Sequence, residues 1–320
     1  MRQIVAGLVS LLLAWPALAD NKPQDKSKEK KEPIAIPATA VIAGGQDSAQ
    51  GKNTPAAAPD TPAGKYQVLL KEYSEAQQKF FKEYQEAKTQ AEKQKVLQER
   101  RPDVNQFAAK FMELAEKNPK DPAALDALLW VVRTSLGSRN AKDSPRSKAI
   151  ALLVRDHITS PRLGPVCQSL AFAFQDKDAE PLLRQIMEKN PSAEVKGEAC
   201  LALAQLLAQK ASIVKELKDE STANQFEKFF GKDLVADLKK QDAAQLASES
   251  DAFFKTFADK YLAQIKPDKL DMLVQRLANV EGKGGELVLR RVVEDTGKDI
   301  KPETRGKACM ALATMLKQRA

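Results

Sequence analysis

Beyond position 65, apolar residues recur at three- and four-residue spacing, with Lys, Glu and Gln between them. That period describes the face of an α-helix, whereas a strand would alternate. One such stripe occurs three times behind the same short phrase, a glycine three residues before a cysteine. Cys167 leads into Leu170, Ala171 and Phe174, Cys200 into Leu203, Ala204 and Leu207, and Cys309 into Leu312, Ala313 and Leu316. Gly164, Gly197 and Gly306 precede them. Each copy reads i, i+3, i+4, i+7 and predicts one buried helix face. The first two copies lie 200 − 167 = 33 residues apart, the length of a two-helix unit in several repeat architectures.

A diverged fourth copy lies upstream. Glu116-Lys117-Asn118-Pro119 returns as Glu188-Lys189-Asn190-Pro191, an offset of 188 − 116 = 72, which places Leu128, Val131 and Val132 on the stripe. The partner helix also repeats. Leu182-Leu183-Arg184 with Ile186-Met187-Glu188 matches Val288-Leu289-Arg290 with Val292-Val293-Glu294, and the stretch from Gln168 to Ala171 matches that from Gln275 to Ala278. The pattern predicts an all-α fold over 65–320, an α-solenoid of about four helical-hairpin repeats. A long helix carrying Tyr66, Leu70, Tyr73, Phe80, Tyr84 and Ala87 and running to about Glu99 precedes the repeats. It reads as a cap, because the terminal unit of a solenoid lacks a neighbour on one face. A second helix then carries Phe107, Phe111 and Leu114 into the Asn118-Pro119 turn.

The frame breaks once, between about 212 and 266. This insertion holds Phe226, Phe229, Phe230, Phe253, Phe254 and Phe257, six of the twelve phenylalanines, with Tyr261 one turn further on. Phe226/Phe229/Phe230 and Phe253/Phe257/Tyr261 each share a helix face and are expected to meet one another. Aromatic stripes at helical spacing usually form core. The alternative is a partner-binding surface, since insertions in solenoids map to one face and that face is often the binding one.

The amino terminus carries an address. Arg2, the apolar run from Ile4 to Leu13 and Ala17-Leu18-Ala19 before Asp20 form a secretory signal peptide over 1–19. No later segment approaches the ~20 apolar residues of a membrane helix, so a soluble exported protein, periplasmic or extracellular, is expected. From 20 to 64 the chain carries six prolines among lysine, alanine and small polar residues. Such a linker buries too little apolar surface to offset its ordering entropy, which predicts disorder.

Composition narrows the function. Fifty-one basic and 43 acidic residues give a net charge of +8, but they are interspersed. A nucleic-acid partner, which wants clustered Lys and Arg with aromatics between, is not expected. The single histidine, His157, has no accompanying nucleophile elbow or cysteine cluster and reads as a surface residue. No metal or cofactor is expected. Gly282-Lys283-Gly284-Gly285 follows no strand, so it reads as an inter-helix turn rather than a phosphate loop. Three cysteines cannot all pair internally. Cys167 and Cys200 occupy equivalent positions on helices expected ~8–10 Å apart, beyond the ~7 Å reach of a disulfide, and read as buried thiols.

The series Asn118-Pro119-Lys120-Asp121-Pro122-Ala123-Ala124-Leu125, then Leu163-Gly164-Pro165-Val166-Cys167, then Gly197-Glu198-Ala199-Cys200 resembles the helical region found ahead of thioredoxin-like redoxin domains in some exported bacterial proteins. At the level of packing pattern the units also resemble HEAT-type repeats. The resemblance implies an envelope-located helical module. It carries over no catalytic residue, because the redox chemistry of those proteins belongs to a domain expected to be missing here. The expected function is a non-enzymatic scaffold for a protein or peptide. The alternative is an accessory of an envelope thiol-disulfide system that uses the cysteines. The signal peptide generates the first prediction: amino-terminal sequencing of the exported protein begins at Asp20, and retention of Met1 in the exported fraction contradicts the reading.

Overall fold

The computed structural model describes residues 58–135, 144–278, 280, 282–294 and 300–319. The signal peptide and the linker up to residue 57 lie outside the described residues. Among the described residues the structure is all-helical and has no strand. The helices are α1 (Pro62–Glu86), α2 (Gln90–Glu99), α3 (Val104–Lys117), α4 (Pro122–Thr134), α5 (Pro145–Leu152), α6 (Gly164–Leu170) and α7 (Ala179–Lys189). They continue with α8 (Ala193–Glu216), α9 (Glu220–Phe230), α10 (Lys232–Lys239), α11 (Ala243–Lys260), α12 (Leu270–Leu277), α13 (Lys283–Glu294) and α14 (Pro302–Arg319). No helix is long and apolar enough to cross a membrane among the described residues.

Local chemistry sets the boundaries. α1 begins at Pro62, three residues before Lys65, because Thr61 accepts the Gly64 N–H at 3.1 Å and proline suits the first helical position. The single helix expected to reach Glu99 is two. Thr89 and Glu92 form a capping box, Glu92 N–H to Thr89 Oγ1 at 3.2 Å and Thr89 N–H to Glu92 Oε2 at 3.0 Å, which starts α2 afresh. Aromatic edges dock α1 on α3 and α4. Tyr66 meets Phe111 at 5.6 Å, Tyr73 meets Phe107 at 5.1 Å and Trp130 at 5.0 Å, and Phe111 meets Trp130 at 4.2 Å.

Two apolar cores share one wall. The first draws on α3 to α10 and on Ala243 at the start of α11, and the second on α8 and α11 to α14. α8 serves both: Ala199, Ala202, Leu203, Leu206 and Leu207 face the first, while Cys200, Leu201 and Ala204 face the second. From Val195 to Val214 no residue of α8 is exposed. The matched segments also fold alike. α6, α7 and α8 contact one another pairwise, and so do their counterparts α12, α13 and α14. Leu182, Leu183 and Ile186 of α7 are buried, as are Val288, Leu289 and Val292 of α13.

The third copy of the Gly-x-x-Cys stripe departs from expectation. α14 buries Thr304, Ala308, Ala311 and Met315, while Cys309, Ala313 and Leu316 are exposed. These packed positions correspond to Val195, Ala199, Ala202 and Leu206 of α8, which face the first core, but no described element covers the Cys309 side of α14 as α11 covers the Cys200 side of α8. The glycines differ accordingly. A Cβ on Gly197 would stand 3.0 Å from Tyr261 Cβ, and one on Gly164 would meet Glu198 Cγ at 3.9 Å. A Cβ on Gly306 would meet nothing within 4 Å. Close approach therefore requires glycine at 197 alone of the three.

A tighter requirement falls on Gly284, where a Cβ would lie 2.4 Å from Phe254 Cδ2 and 2.7 Å from its Cβ. Gly284→Ala should destabilise by about 1–3 kcal/mol through overpacking against a buried ring. Gly306→Ala, in open helix, should stabilise by about 0.5–1 kcal/mol. Urea midpoints of the two variants test the pair, and equal shifts in the same direction would contradict the packing described.

Candidate functional site

The structure divides the insertion's aromatics between the two cores. Phe254 and Phe257, on α11, are buried in the second core with Cys200, Leu201, Leu262 and Leu289. Phe253 is half-buried and touches both cores, and Arg184 lies 5.4 Å above its ring. Tyr261 is half-buried over Gly197. Phe226 and Phe230, on α9, pack against the first core, with ring centroids 5.3 Å apart. Phe226 and Phe230 thus serve the first core and Phe254 and Phe257 the second, while Phe253 packs against both. Removing 213–264 would strip Phe254 and Phe257 from the second core, so that deletion reports on folding.

Phe229 is the one aromatic of the seven that points outward, 65% exposed. Its neighbour Phe230 meets Phe174 edge-on at 5.5 Å. Two residues before Phe174 stands Phe172, 62% exposed. In sequence Phe172 falls off the Cys167 stripe and carries no signal, and only the Phe174–Phe230 contact brings it to the insertion. The loop that carries it, between α6 and α7, is anchored from below. Arg146 of α5 forms a buried ion pair with Asp176 through Nε and Oδ2, and Ser147 Oγ donates to Asp178 Oδ2 at 2.6 Å. Asp176 Oδ1 in turn accepts the Asp178 N–H at 2.9 Å. Breaking such a buried pair costs about 3–5 kcal/mol, so the loop and its aromatics are held in one arrangement.

A second polar network ties α11 to α7 and α8. Glu180 receives Lys210 at 2.8 Å and Arg184 at 2.9 Å, and Arg184 also reaches Glu249. Burial raises the Glu180 pKa, but the bonds from Lys210 and Arg184 outweigh it and hold the carboxyl below its ordinary value. On the other side of α8, Arg276 of α12 donates to Glu198 and to Gln205, each at 3.0 Å. Both networks are internally satisfied and fix helix positions.

The remaining sequence candidates resolve as follows. Gly282 adopts φ +113° in a turn, but Gly284 and Gly285 are buried in the first turn of α13. The Gly284 N–H donates to Asp251 Oδ1 at 2.7 Å, so a carboxylate of the chain already occupies the place a phosphate would take. His157, expected at the surface, is half-buried in a π-turn that ends α5, with no hydrogen-bond partner for Nε2. Desolvation lowers its pKa against the opposing charge of Asp156, which keeps the ring neutral near pH 7. Cys167 and Cys200 are buried and Cys309 is exposed, all as free thiols. Burial, then the charge of Glu198, pushes the Cys167 pKa far up, and burial pushes Cys200 to about 12. Cys200 Sγ donates to the Phe253 carbonyl at 3.3 Å. An open, mixed-charge cavity lies at the α1–α2 junction between Glu83, Glu86, Lys88, Glu92, Lys95 and Arg100; Glu92 is already used as a cap and Arg100 pairs with Glu83 at 3.5 Å.

Compared with known proteins, the chain matches no family model, no curated protein and no solved structure at a significant level.

Thiol chemistry generates the next prediction. Cys200 ionises near 9.0 when unburied and at about 12 when folded, and Tyr66 moves likewise from 10.0 to about 12. Raised folded values favour the native state below the unfolded pKa and withdraw that support as pH rises through the folded one. Stability should therefore be flat up to about pH 9 and fall above it, by at most about 1.4 kcal/mol per pH unit for each group. The fall between pH 9 and 10 should be shallower in Cys200→Ala. In the native protein at pH 7.5 a maleimide should label Cys309 alone, and rapid labelling of Cys167 or Cys200 contradicts the burial.

Proposed function

We propose that the protein is an exported, non-enzymatic helical-repeat scaffold of α-solenoid type that holds a protein or peptide partner, related in plan to the helical region that precedes redoxin domains. The observation that carries this reading is the exposure of two large aromatics, Phe172 and Phe229, each close in sequence to one member of the Phe174–Phe230 contact. Large aromatic side chains in water forgo about 1.5–3 kcal/mol of burial each, and they are the residue type that anchors protein interfaces. Here they sit on segments anchored by Arg146–Asp176 and by α9, so little ordering is needed on binding. The insertion's other aromatics pack against the cores, which supports Phe229, with Phe172, as the contact residues.

The thiol-accessory alternative is left with Cys309. Burial disfavours the thiolate form, the reactive one, at Cys167 and Cys200.

A benzophenone amino acid placed at position 229 in the exported protein, with the same probe at the exposed Val68 as control, tests the proposal. A discrete crosslinked product from 229 that is absent from 68 and weakened by Phe172→Ala is expected. Identical products from both positions, or none from 229, would overturn it. Thiol-dependent insulin reduction that disappears in Cys309→Ser would move the assignment to the alternative.

A further inference from the structure

α9 is fastened to the rest of the chain differently from its neighbours. α7 and α11 are tied to α8 through Glu180, Lys210, Arg184 and Glu249, α12 is tied to α8 through Arg276, and α13 to α11 through Asp251. Among the described residues no side-chain hydrogen bond or ion pair joins α9 to another element, and the Asp219–Thr222 bonds belong to its own cap. Apolar contact alone holds it. Of its eleven residues only Ala223 is buried, while Phe226 and Phe230 rest half-buried on the first core. The helix it chiefly lies against is α10.

Both ends of α9 are turns. Before it, the Asp219 N–H donates to the Glu216 carbonyl at 3.1 Å and closes a turn over Leu217 to Asp219. After it stands Gly231, the single residue between α9 and α10, at φ +87° and ψ 153°. A Cβ there would meet nothing within 4 Å, so the glycine serves the backbone rather than close packing. That region of φ and ψ is essentially reserved to glycine. What lies beneath α9 is fixed. The loop from Phe172 to Asp178 is held by Arg146–Asp176 and Ser147–Asp178, and Phe174, 6% exposed, meets Phe230 edge-on at 5.5 Å.

We infer that α9 is a hinged strap over this loop. It lifts on Gly231 and on the turn at 217–219 while α8, α10 and α11 stay folded, and in lifting it uncovers the edge of Phe174 that Phe230 meets. With the strap closed, the fixed loop presents Phe172 alone; with it open, Phe172 and Phe174 stand free on the same backbone. Two half-buried rings and one alanine are little apolar area, so the strap opens at a fraction of the free energy that unfolding α8 requires. The open fraction then scales the apparent affinity of a partner that engages Phe174. That use of the strap rests on the partner-binding reading above, whereas the motion does not.

Hydrogen exchange on the full chain tests the motion with no partner present. An eleven-residue helix freed of its contacts is marginal in water. Amides from Ala223 to Phe230 should therefore exchange at least about 100-fold faster than those from Ala199 to Leu207 of α8, with a urea dependence less than about half as steep. In Cys309→Ser, the thiol introduced by Ala223→Cys should react with a maleimide at least about 100-fold faster than buried Cys200. Gly231→Ala strains the closed form and should raise that rate about tenfold, with the urea dependence of α9 exchange still shallow. Equal protection and equal urea dependence in α8 and α9 would overturn the strap. So would an Ala223→Cys thiol that reacts no faster than Cys200, or a rate that Gly231→Ala leaves unchanged. A rigid α9 leaves the crosslink at position 229 standing, and loss of that crosslink leaves these rates unaltered, so the two readings fail separately.

Discussion

One helix with no water-facing side dictates how α6 to α14 are arranged. Ala199 to Leu207 of α8 are nine consecutive buried residues, and a helix apolar all round must be enclosed all round. α6, α7 and α10 cover it from the first core and α11 from the second. At about 25 cal/mol per Å² of apolar surface removed from water, leaving any one side open would forfeit several kcal/mol, comparable to the net stability of a domain. The insertion is thus structurally obligatory: α11 closes the side of α8 that α12 to α14 do not reach.

Enclosing α8 brings charge inside, and the way those charges are satisfied sets register. Arg276 could lie between α12 and α8 only if both Glu198 and Gln205, about two turns apart on one face of α8, met it. Lys210 is buried at the other flank and is neutralised by Glu180, which shares Arg184 with Glu249 of α11. A one-turn slip of α7, α11 or α12 along α8 would strand a charge in apolar surroundings, a larger penalty than exposing any single apolar side chain. Apolar burial therefore supplies the drive, while these two networks select one sliding position among those that burial alone would tolerate.

The helical class and most segment identities are legible in the sequence, because period and matched phrases such as Leu182-Leu183-Arg184 and Val288-Leu289-Arg290 are local properties. What escaped was non-local or competed with period. The break at residues 87–89 is a contest between an uninterrupted apolar stripe and the Thr89–Glu92 cap, and the cap prevails because α2 buries no side chain that would reward continuation. The orientation of α14 cannot be read from its stripe: the Cys309 face and the Thr304/Ala308/Ala311/Met315 face are both apolar enough, and the positions of α12 and α13 decide between them. The loop of Phe172 meets α9 only through Phe174 and Phe230, residues far apart in sequence. Gly284 looks like part of a flexible turn until Phe254 arrives above it.

The two best-matched copies of the repeat show how one local pattern acquires two roles. Gly197-x-x-Cys200 and Gly306-x-x-Cys309 present the same small-residue groove, and their helices contact equivalent neighbours. The difference lies in what the chain places opposite. After α8 it inserts α9 to α11, whose aromatic helix fills the groove and places Cys200 and Ala204 at zero exposure. Opposite α14 no described element takes that place, so the same chemistry stays in water. The same small-residue face, covered on α8 and uncovered by described elements on α14, shows that burial of a motif is decided by what the chain places opposite it and not by the motif.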